Sequence, residues 1–99
     1  MHINLMKIEW YEPKRQKTLK ERNLDFADVD RFDWTTAMVA EDVRKNYGEL
    51  RSVAFGMLDA RLVCLVYTLR GEALRVISLR KANEREEKVY DGFKASITD

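Results

Sequence analysis

The sequence predicts an α+β fold, in which helices pack against a mostly antiparallel sheet in the order β-α-α-β-β-β-β-α. Its 99 residues, of which 45% are hydrophobic and 35% charged, suit a single folded domain spanning residues 1–99. Alternating apolar and polar residues, separated by two-residue turns, predict antiparallel strands in the second half of the chain. Capping residues and helical spacing of apolar residues predict helices near both ends of the chain.

The first quarter of the chain contains one predicted strand and one predicted helix. Residues 6–10 (MKIEW) alternate as a short strand does. Pro13 suits a first helical position, and Asn23 can adopt the left-handed conformation that closes a helix. We therefore expect a mostly exposed helix over residues 13–22. Its basic face consists of Lys14, Arg15, Lys17 and Lys20.

A second, short helix is expected over residues 26–32. Asp25 is a suitable N-cap for it, and Leu24 and Val29 occupy the two positions of a hydrophobic staple. Phe26, Val29 and Phe32 recur three residues apart. This spacing is more typical of core packing than of a platform on which nucleobases stack.

Four strands and a helix complete the predicted fold. The turns between the last three strands are expected at Asp59-Ala60 and Arg70-Gly71. Asn83 is the expected cap of the last helix. The predicted strands span residues 35–42, 51–58, 61–68 and 72–80, and the apolar stripe of the helix consists of Val89, Tyr90, Phe93 and Ile97.

These turns also predict a register. With two-residue loops, Arg51 faces Thr68 across one strand pair and Val66 faces Arg75 across the next. Both arginines then lie on one face of the sheet. A slip of one residue in the last hairpin would move Arg75 to the face of Tyr67, because side chains alternate between the two faces.

The numbers of cysteine and histidine exclude several classes of catalytic site. The only histidine, His2, lies close to a terminus, and the only cysteine, Cys64, lies within the most apolar run of the chain. No Ser/His/Asp or Cys/His arrangement and no His/Cys zinc site can be built from them. Cys64 is expected to be a buried thiol. A Gly-rich phosphate-binding loop is also absent from the sequence, so no cofactor and no metal site is expected.

Neither a membrane-spanning segment nor a signal peptide is apparent. The longest apolar run, residues 62–67, is far shorter than the roughly 20 residues that span a bilayer. Residues 1–15 lack a basic stretch followed by a sustained apolar stretch. We therefore expect a cytoplasmic protein without a membrane partner.

The net charge of +1 conceals an uneven distribution. Residues 44–81 carry eight basic and three acidic side chains, whereas residues 21–42 carry two basic and seven acidic ones. The basic segment is rich in arginine, whose planar guanidinium matches phosphate oxygens in a bidentate manner. It indicates either an anion-binding surface or an ordinary solvated sheet surface that pairs with the acidic segment.

Read along the chain, the residues resemble the BrnT toxins over nearly the whole length. The most specific stretch is VYTLRGEALRVISLRKANERE at residues 66–86. The sequence departs from the family in two places: Tyr11 stands where an Asp is usual, and residues 21–23 read Glu-Arg-Asn where Lys-His-Gly is usual. The other matching segments are IEW at 8–10, Pro13-Lys14-Arg15, LDFAD at 24–28, Phe32, Glu41-Asp42 with Arg44, YGELR at 47–51, Gly56 and Tyr90.

The resemblance implies a RelE-like fold and a ribonuclease toxin of a bacterial type II toxin-antitoxin pair, which cleaves RNA and so inhibits translation. It also implies neutralisation by a BrnA-type antitoxin with a ribbon-helix-helix DNA-binding segment. Two toxins bridged by an antitoxin dimer are expected, with operator DNA bound only through the antitoxin. If the family's usual histidine takes part in chemistry, Arg22 cannot replace it as a general base. If it only closes the helix, Asn23 keeps the geometry.

RNA cleavage without a metal requires the 2′-hydroxyl to attack its own phosphodiester while the protein stabilises charge on the phosphorane. Preorganised arginines suit that task, and we expect Arg51, Arg75 and Arg80 to form the clamp. Tyr67 and Glu84 are the candidates for proton transfer. Arg44, Tyr47 and Lys81 are the candidates for contacts with RNA bases and phosphates.

Each of these residues also has a structural interpretation. The arginines can be strand-surface charges, and Tyr67 can be an aromatic residue at the edge of the core. Glu84 can be a favourable first-turn acid near the helix dipole, and the segment with Arg44 and Tyr47 can be a loop held by local hydrogen bonds. Two other function classes therefore stay open beside the ribonuclease: a non-catalytic nucleic-acid binder and a member that retains only its interactions.

Overall fold

The computed structural model describes residues 7–98, so the predicted start of the first strand at Met6 and the terminal His2 lie outside the described residues. Five strands form one sheet, which two α-helices and a short 3₁₀ helix accompany. In chain order the elements are β1 (Lys7–Trp10), α1 (Glu12–Arg22), the 3₁₀ helix (Phe26–Arg31), β2 (Met38–Glu41), β3 (Ser52–Leu58), β4 (Arg61–Arg70), β5 (Ala73–Lys81) and α2 (Glu84–Thr98).

The strand order in the sheet is β1-β5-β4-β3-β2. β2, β3, β4 and β5 form an antiparallel meander, and β1 adds to β5 as a parallel edge strand. The predicted α+β class with a mostly antiparallel sheet is confirmed.

The hydrophobic core lies on one face of this sheet, under the 3₁₀ helix. Phe26, Val29 and Phe32 are buried there, so the prediction that these residues pack in the core is confirmed. Phe32 packs against Gly56 of β3 so closely that a Cβ atom at Gly56 would lie 2.5 Å from the Phe32 ring. From the sheet, the core includes Ala54, Leu58, Val63, Leu65, Tyr67, Leu74, Val76 and Leu79.

The 3₁₀ helix and β2 differ from the sequence-based expectation at their bounds. Asp25 caps the 3₁₀ helix as predicted, since its side chain accepts a hydrogen bond from the Ala27 amide at 2.9 Å. β2 begins at Met38 rather than at Thr35. The Asp33 carboxylate accepts bonds from the Thr35 amide and from the Thr35 and Thr36 hydroxyls, which holds this segment in a turn.

The predicted register of the last hairpin is wrong by two residues. The turn lies at Gly71-Glu72, one residue later than expected, with Gly71 in the left-handed region at φ +59°. Arg75 consequently pairs with Thr68, and a bulge between Val66 and Tyr67 brings Val66 opposite Ser78. Because the displacement is an even number of residues, Arg75 stays on its expected face of the sheet.

Hydrogen bonds hold α1 against the body of the protein. Arg15 forms a two-bond ion pair with Asp25, at 2.8 and 3.1 Å. At the end of the helix, Arg22 Nη1 donates to the Leu79 carbonyl of β5 at 2.9 Å. Asn23 closes the helix in the left-handed conformation, as predicted, and its amide donates to the Leu19 carbonyl at 3.0 Å.

α2 packs only in part. Asn83 and Glu86 cap its start reciprocally, at 2.8 and 2.9 Å. Tyr90 is buried and its hydroxyl donates to the Thr36 carbonyl. Val89 and Ile97, by contrast, are 56% and 46% exposed. The predicted apolar stripe is therefore buried at Tyr90 and exposed at Val89 and Ile97.

Candidate functional site

The face of the sheet opposite the core carries two adjoining hollows, and we call it the concave face. The first, of about 360 Å³, has a floor of apolar and thiol side chains; we call it the apolar hollow. The second, of about 410 Å³, is called the basic hollow because half of its lining residues are cationic. Arg44, Val66 and Ser78 line both hollows. The two therefore form one continuous surface.

Three parts of the chain meet in the basic hollow. α1 contributes Lys14, the segment before β3 contributes Arg44, Lys45, Tyr47 and Arg51, and β5 contributes Ile77 and Ser78. From the sequence, Arg44, Tyr47 and Arg51 are predicted to act at the site, whereas Lys14 is predicted only to lie on the basic face of an exposed helix. Its place beside them depends on how α1 packs.

Asp42 organises the loop that follows β2. Its side chain is 1% exposed and accepts bonds from Arg44 Nε at 2.8 Å and Nη2 at 2.7 Å. The Tyr47 hydroxyl donates to the same carboxylate at 3.0 Å. The Arg44 guanidinium in particular holds the pKa of Asp42 well below its usual range. The loop is thus held by local hydrogen bonds, while the Arg44 side chain stays 73% exposed at the hollow.

Arg51 stacks on an aromatic ring. Its guanidinium carbon lies 4.2 Å from the centroid of the Tyr47 ring, and Lys45 Nζ lies 5.3 Å from the same centroid. Arg51 Nε also donates to Glu49 at 3.1 Å, and this bond lowers the pKa of Glu49. The stacking and the ion pair fix the direction of the guanidinium before any ligand arrives.

Arg80 lies at the rim of the apolar hollow and is bound by α2. Its two terminal nitrogens each donate to a carboxylate oxygen of Glu86, both at 2.8 Å. This bidentate pair lowers the pKa of Glu86 to about 2. Opposite Arg80 in the sheet lies Cys64, which is buried as predicted, and burial raises the pKa of its thiol.

The remaining predicted site residues lie outside both hollows. Arg75 is on the same face of the sheet, between Thr68 of β4 and Glu9 of β1. Tyr67 lies on the core face, 3% exposed, with its ring 5.3 Å from that of Trp34. Burial raises the pKa of Tyr67.

Lys81 and Glu84 are also separated from the hollows. Lys81 pairs with Val63, a core residue, and is therefore on the opposite face of the sheet from Arg80. Glu84 is exposed in the first turn of α2. In α2, the acid that contacts an arginine of the concave face is Glu86, which binds Arg80. The sequence signal that could identify Glu86 is its position three residues after the capping residue Asn83.

Two further features of residues 7–98 bear on function. Within this range, no three side chains of His, Cys, Asp or Glu lie close enough together to hold a metal ion. No helix in the same range combines the length and apolar character needed to cross a membrane.

Residues 10–86 match the family model described as the ribonuclease toxin BrnT of type II toxin-antitoxin systems. The chain belongs to the BrnT family. The matched segment includes every residue that lines either hollow. Membership of this family implies ribonuclease activity, an RNA substrate and an antitoxin partner.

The structure of this BrnT-family chain also resembles a solved one. The 1.1 Å crystal structure of the Brucella abortus ribonuclease toxin BrnT superposes with a TM-score of 0.64 and 34% sequence identity. The match covers 80% of this chain and 99% of that one. No curated protein sequence matches the chain.

Proposed function

We propose that the protein is a metal-independent endoribonuclease toxin that cleaves RNA at the basic hollow and thereby inhibits translation. The observation that carries the proposal is the convergence of Lys14, Arg44, Lys45 and Arg51 around Tyr47 in a hollow of about 410 Å³. A phosphodiester in this hollow would face four cations and one aromatic ring. The four cations can bind an RNA backbone, and the aromatic ring can stack on a base. An RNA substrate is what membership of the BrnT family leads us to expect.

The proposed reaction is an internal transfer. The 2′-oxygen bonds to phosphorus and loses its proton, the bond from phosphorus to the 5′-oxygen breaks, and that oxygen takes up a proton. The products carry a 2′,3′-cyclic phosphate and a 5′-hydroxyl. Between the attack of the 2′-oxygen and the departure of the 5′-oxygen, negative charge builds up on the non-bridging oxygens of the phosphorus. Losing one preorganised donor to such a charge typically costs about 10² to 10³ in rate.

Arg44 and Arg51 are the donors best placed for this task. Arg44 uses Nε and Nη2 to bind Asp42, which leaves Nη1 free to donate to a phosphate at an exposed position. Arg51 uses Nε to bind Glu49, and its terminal nitrogens donate no side-chain hydrogen bond within residues 7–98. Because carboxylates and the Tyr47 ring already hold both guanidiniums, little reorganisation is needed when charge develops.

The other predicted residues differ in how well their positions support a role. Arg80 and Arg75 share the concave face, and we propose that they contact the RNA on either side of the cleaved phosphate. Tyr67, Glu84 and Lys81 lie away from the hollows, and no step of the proposed mechanism uses them.

For the antitoxin, we propose a BrnA-like ribbon-helix-helix protein whose dimer bridges two toxins in the cytoplasm. Operator DNA would be bound through the antitoxin alone. An acidic or hydrophobic antitoxin segment laid over the two hollows would complement their cations and apolar floor. Co-expression with a neighbouring ribbon-helix-helix gene, followed by light scattering of the purified complex, tests both the pairing and the stoichiometry.

The ribonuclease proposal is tested with purified protein and a labelled RNA oligonucleotide in EDTA. We expect cleavage that leaves a 2′,3′-cyclic phosphate and that stops when the nucleotide 5′ to the cleaved bond lacks its 2′-hydroxyl. Arg51→Ala should lose about 10² to 10³ in rate. Arg85→Ala removes an exposed arginine on α2 and serves as the matched control. Binding of the RNA without cleavage by the wild-type protein would instead favour a non-catalytic binder.

A further inference from the structure

We propose that Lys14 is the general acid of the reaction, donating a proton to the 5′-oxygen as it leaves; this inference rests on the proposed ribonuclease function. The 5′-oxygen departs as an alkoxide, which is a poor leaving group unless it is protonated. Neither Arg44 nor Arg51 can supply that proton, because guanidinium does not deprotonate in proteins. The basic hollow therefore needs one group of another kind.

Lys14 is the lysine that α1 brings into the hollow. It lies in the first turn of the helix and lines the hollow together with Tyr47, Arg51 and Ser78. The carboxylates nearby are bound to other cations, since Asp42 pairs with Arg44 and Glu49 pairs with Arg51 and Arg70. None of the ion pairs formed among residues 7–98 includes Lys14. Its ammonium group is thus available to a substrate.

The charged surroundings of Lys14 favour proton release. Partial desolvation and then the charges of Arg51, Arg22 and Lys17 lower its pKa from the ordinary lysine value. Arg44 and Lys45 face the same hollow from the loop before β3, and Tyr47 is the other titratable group there. A lysine with a lowered pKa gives up its proton more readily than an ordinary lysine does.

The proton balance of the step is complete. The 2′-hydroxyl gives its proton to solvent water as the 2′-oxygen bonds to phosphorus. Lys14 gives one of its protons to the 5′-oxygen as the bond from that oxygen to phosphorus breaks. Lys14 is exposed overall, so the neutral amine regains a proton from water before the next turnover.

A sulfur substrate separates a general acid from a merely structural lysine. In an RNA with sulfur in place of the bridging 5′-oxygen at the mapped cleavage site, the leaving group is a thiolate, which needs no protonation. We expect Lys14→Ala and Lys14→Arg to cleave ordinary RNA about 10² to 10⁴ times more slowly than the wild type. Both variants should cleave the sulfur substrate within a few-fold of the wild-type rate.

The control variants distinguish the possible failures. Arg51→Ala should be slow on both substrates, and Lys20→Ala, which alters an exposed lysine of the same helix, should be normal on both. A Lys14→Ala rate that is normal on RNA, or equally reduced on both substrates, overturns the assignment and leaves the ribonuclease function intact. A wild-type protein that cleaves neither substrate overturns the ribonuclease function and this assignment with it.

A pH profile gives a second readout. Wild-type cleavage should decline at alkaline pH as Lys14 loses its proton, and the lowered pKa moves this decline to lower pH than an ordinary lysine would give. Lys14→Arg keeps its charge and should lack the decline. An identical decline in both proteins contradicts the proposal.

Discussion

Among single residues, Asp42 holds two of the side chains that line the basic hollow, Arg44 and Tyr47. Its carboxylate accepts bonds from the Arg44 side chain, the Arg44 amide and the Tyr47 hydroxyl. Tyr47 in turn carries Arg51 on its ring. One buried carboxylate therefore orients, directly or through one neighbour, both arginines that the proposed mechanism uses.

Asp42→Asn should reduce RNA cleavage by about 10²-fold, since a misplacement of about 1 Å in a catalytic group can cost that much. The amide cannot accept a bidentate guanidinium, so Arg44 loses its fixed direction. Single-turnover cleavage measures the effect, and Asp30→Asn, at an exposed position in the 3₁₀ helix, is the control. Equal rates for Asp42→Asn and the wild type would show that the orientation of Arg44 is unimportant.

Arg22→His tests the position at which the family usually has a histidine. Arg22 is one of the cations that lower the pKa of Lys14, and an imidazole is mostly neutral at pH 7. We expect the alkaline decline in cleavage to move to higher pH, with little change in the maximal rate. Arg85→His is the control. A rise of about 10² to 10⁴ in rate with a new dependence near pH 6.5 would show instead that the imidazole itself transfers protons.

Among the elements, α2 is attached to the rest of the protein at few points, and Tyr90 is the only buried residue of positions 84–97. Its first turn is held by the pair between Arg80 and Glu86 and by the capping box, and Tyr90 anchors the middle of the helix. Val89 and Ile97 remain exposed. The attachment of α2 to the sheet therefore depends strongly on one carboxylate.

Glu86→Gln should destabilise the protein at pH 7 by about 1.5 to 3 kcal/mol, through the loss of charged hydrogen bonds. The folded pKa of Glu86, about 2, lies below the ordinary value of 4.5, so the ionised group stabilises the fold above pH 4.5. That stabilisation is lost as the pH falls from 4.5 towards 2. Urea unfolding should therefore show a difference between the two proteins that shrinks over this range. A constant difference would contradict the pKa, and Glu87→Gln is the exposed control.

Gly56→Ala should destabilise the contact between β3 and the 3₁₀ helix by about 1 to 3 kcal/mol, because the added methyl group overlaps the Phe32 ring. Gly92→Ala is the matched control in α2, where a Cβ atom meets no other atom. It should stabilise the protein by up to about 1 kcal/mol, since alanine favours a helix interior. Thermal unfolding of both variants measures the contrast, and a neutral Gly56→Ala would mean that Phe32 can move aside.

For the molecule as a whole, the distribution of charge matters more than its sum. A net charge of +1 would steer RNA weakly, but the cations gather on the concave face while acids such as Asp28, Asp30 and Asp59 lie around the 3₁₀ helix. RNA affinity should therefore depend on salt through local contacts on this one face.

Arg75→Ala tests whether the contact with RNA extends along the concave face as far as Arg75. If Arg75 neutralises one phosphate, the slope of log K against log salt should become shallower by about 0.7, the value for a single strand. A 2′-deoxy oligonucleotide, which cannot be cleaved, serves as the ligand. The melting temperature should change little, because half-exposed strand arginines usually contribute within about ±0.5 kcal/mol. The control Arg85→Ala should leave the slope unchanged. An unchanged slope for Arg75→Ala would show that Arg75 does not contact the RNA.

Much of the secondary structure was predictable from the sequence because its signals are local. Asn23 closes α1, Asp25 begins the 3₁₀ helix and Asn83 begins α2, each through bonds that span only a few residues. The apolar spacing of Phe26, Val29 and Phe32 likewise identified core residues, since it reflects one short segment. The α+β class follows from the order of such segments.

The family, the element order and the basic character of the segment that forms most of the site could all be predicted from the amino-acid sequence. The face that each side chain occupies and the cations that meet in the hollow depend on how the elements pack. Tyr67 faces the core, and the displaced turn at Gly71 and the bulge after Val66 set the partners of Arg75 and Ser78. Lys14 reaches the hollow only through the packing of α1. These contacts join residues that are far apart in the chain. Their stability depends on tertiary packing, which a local sequence pattern does not encode.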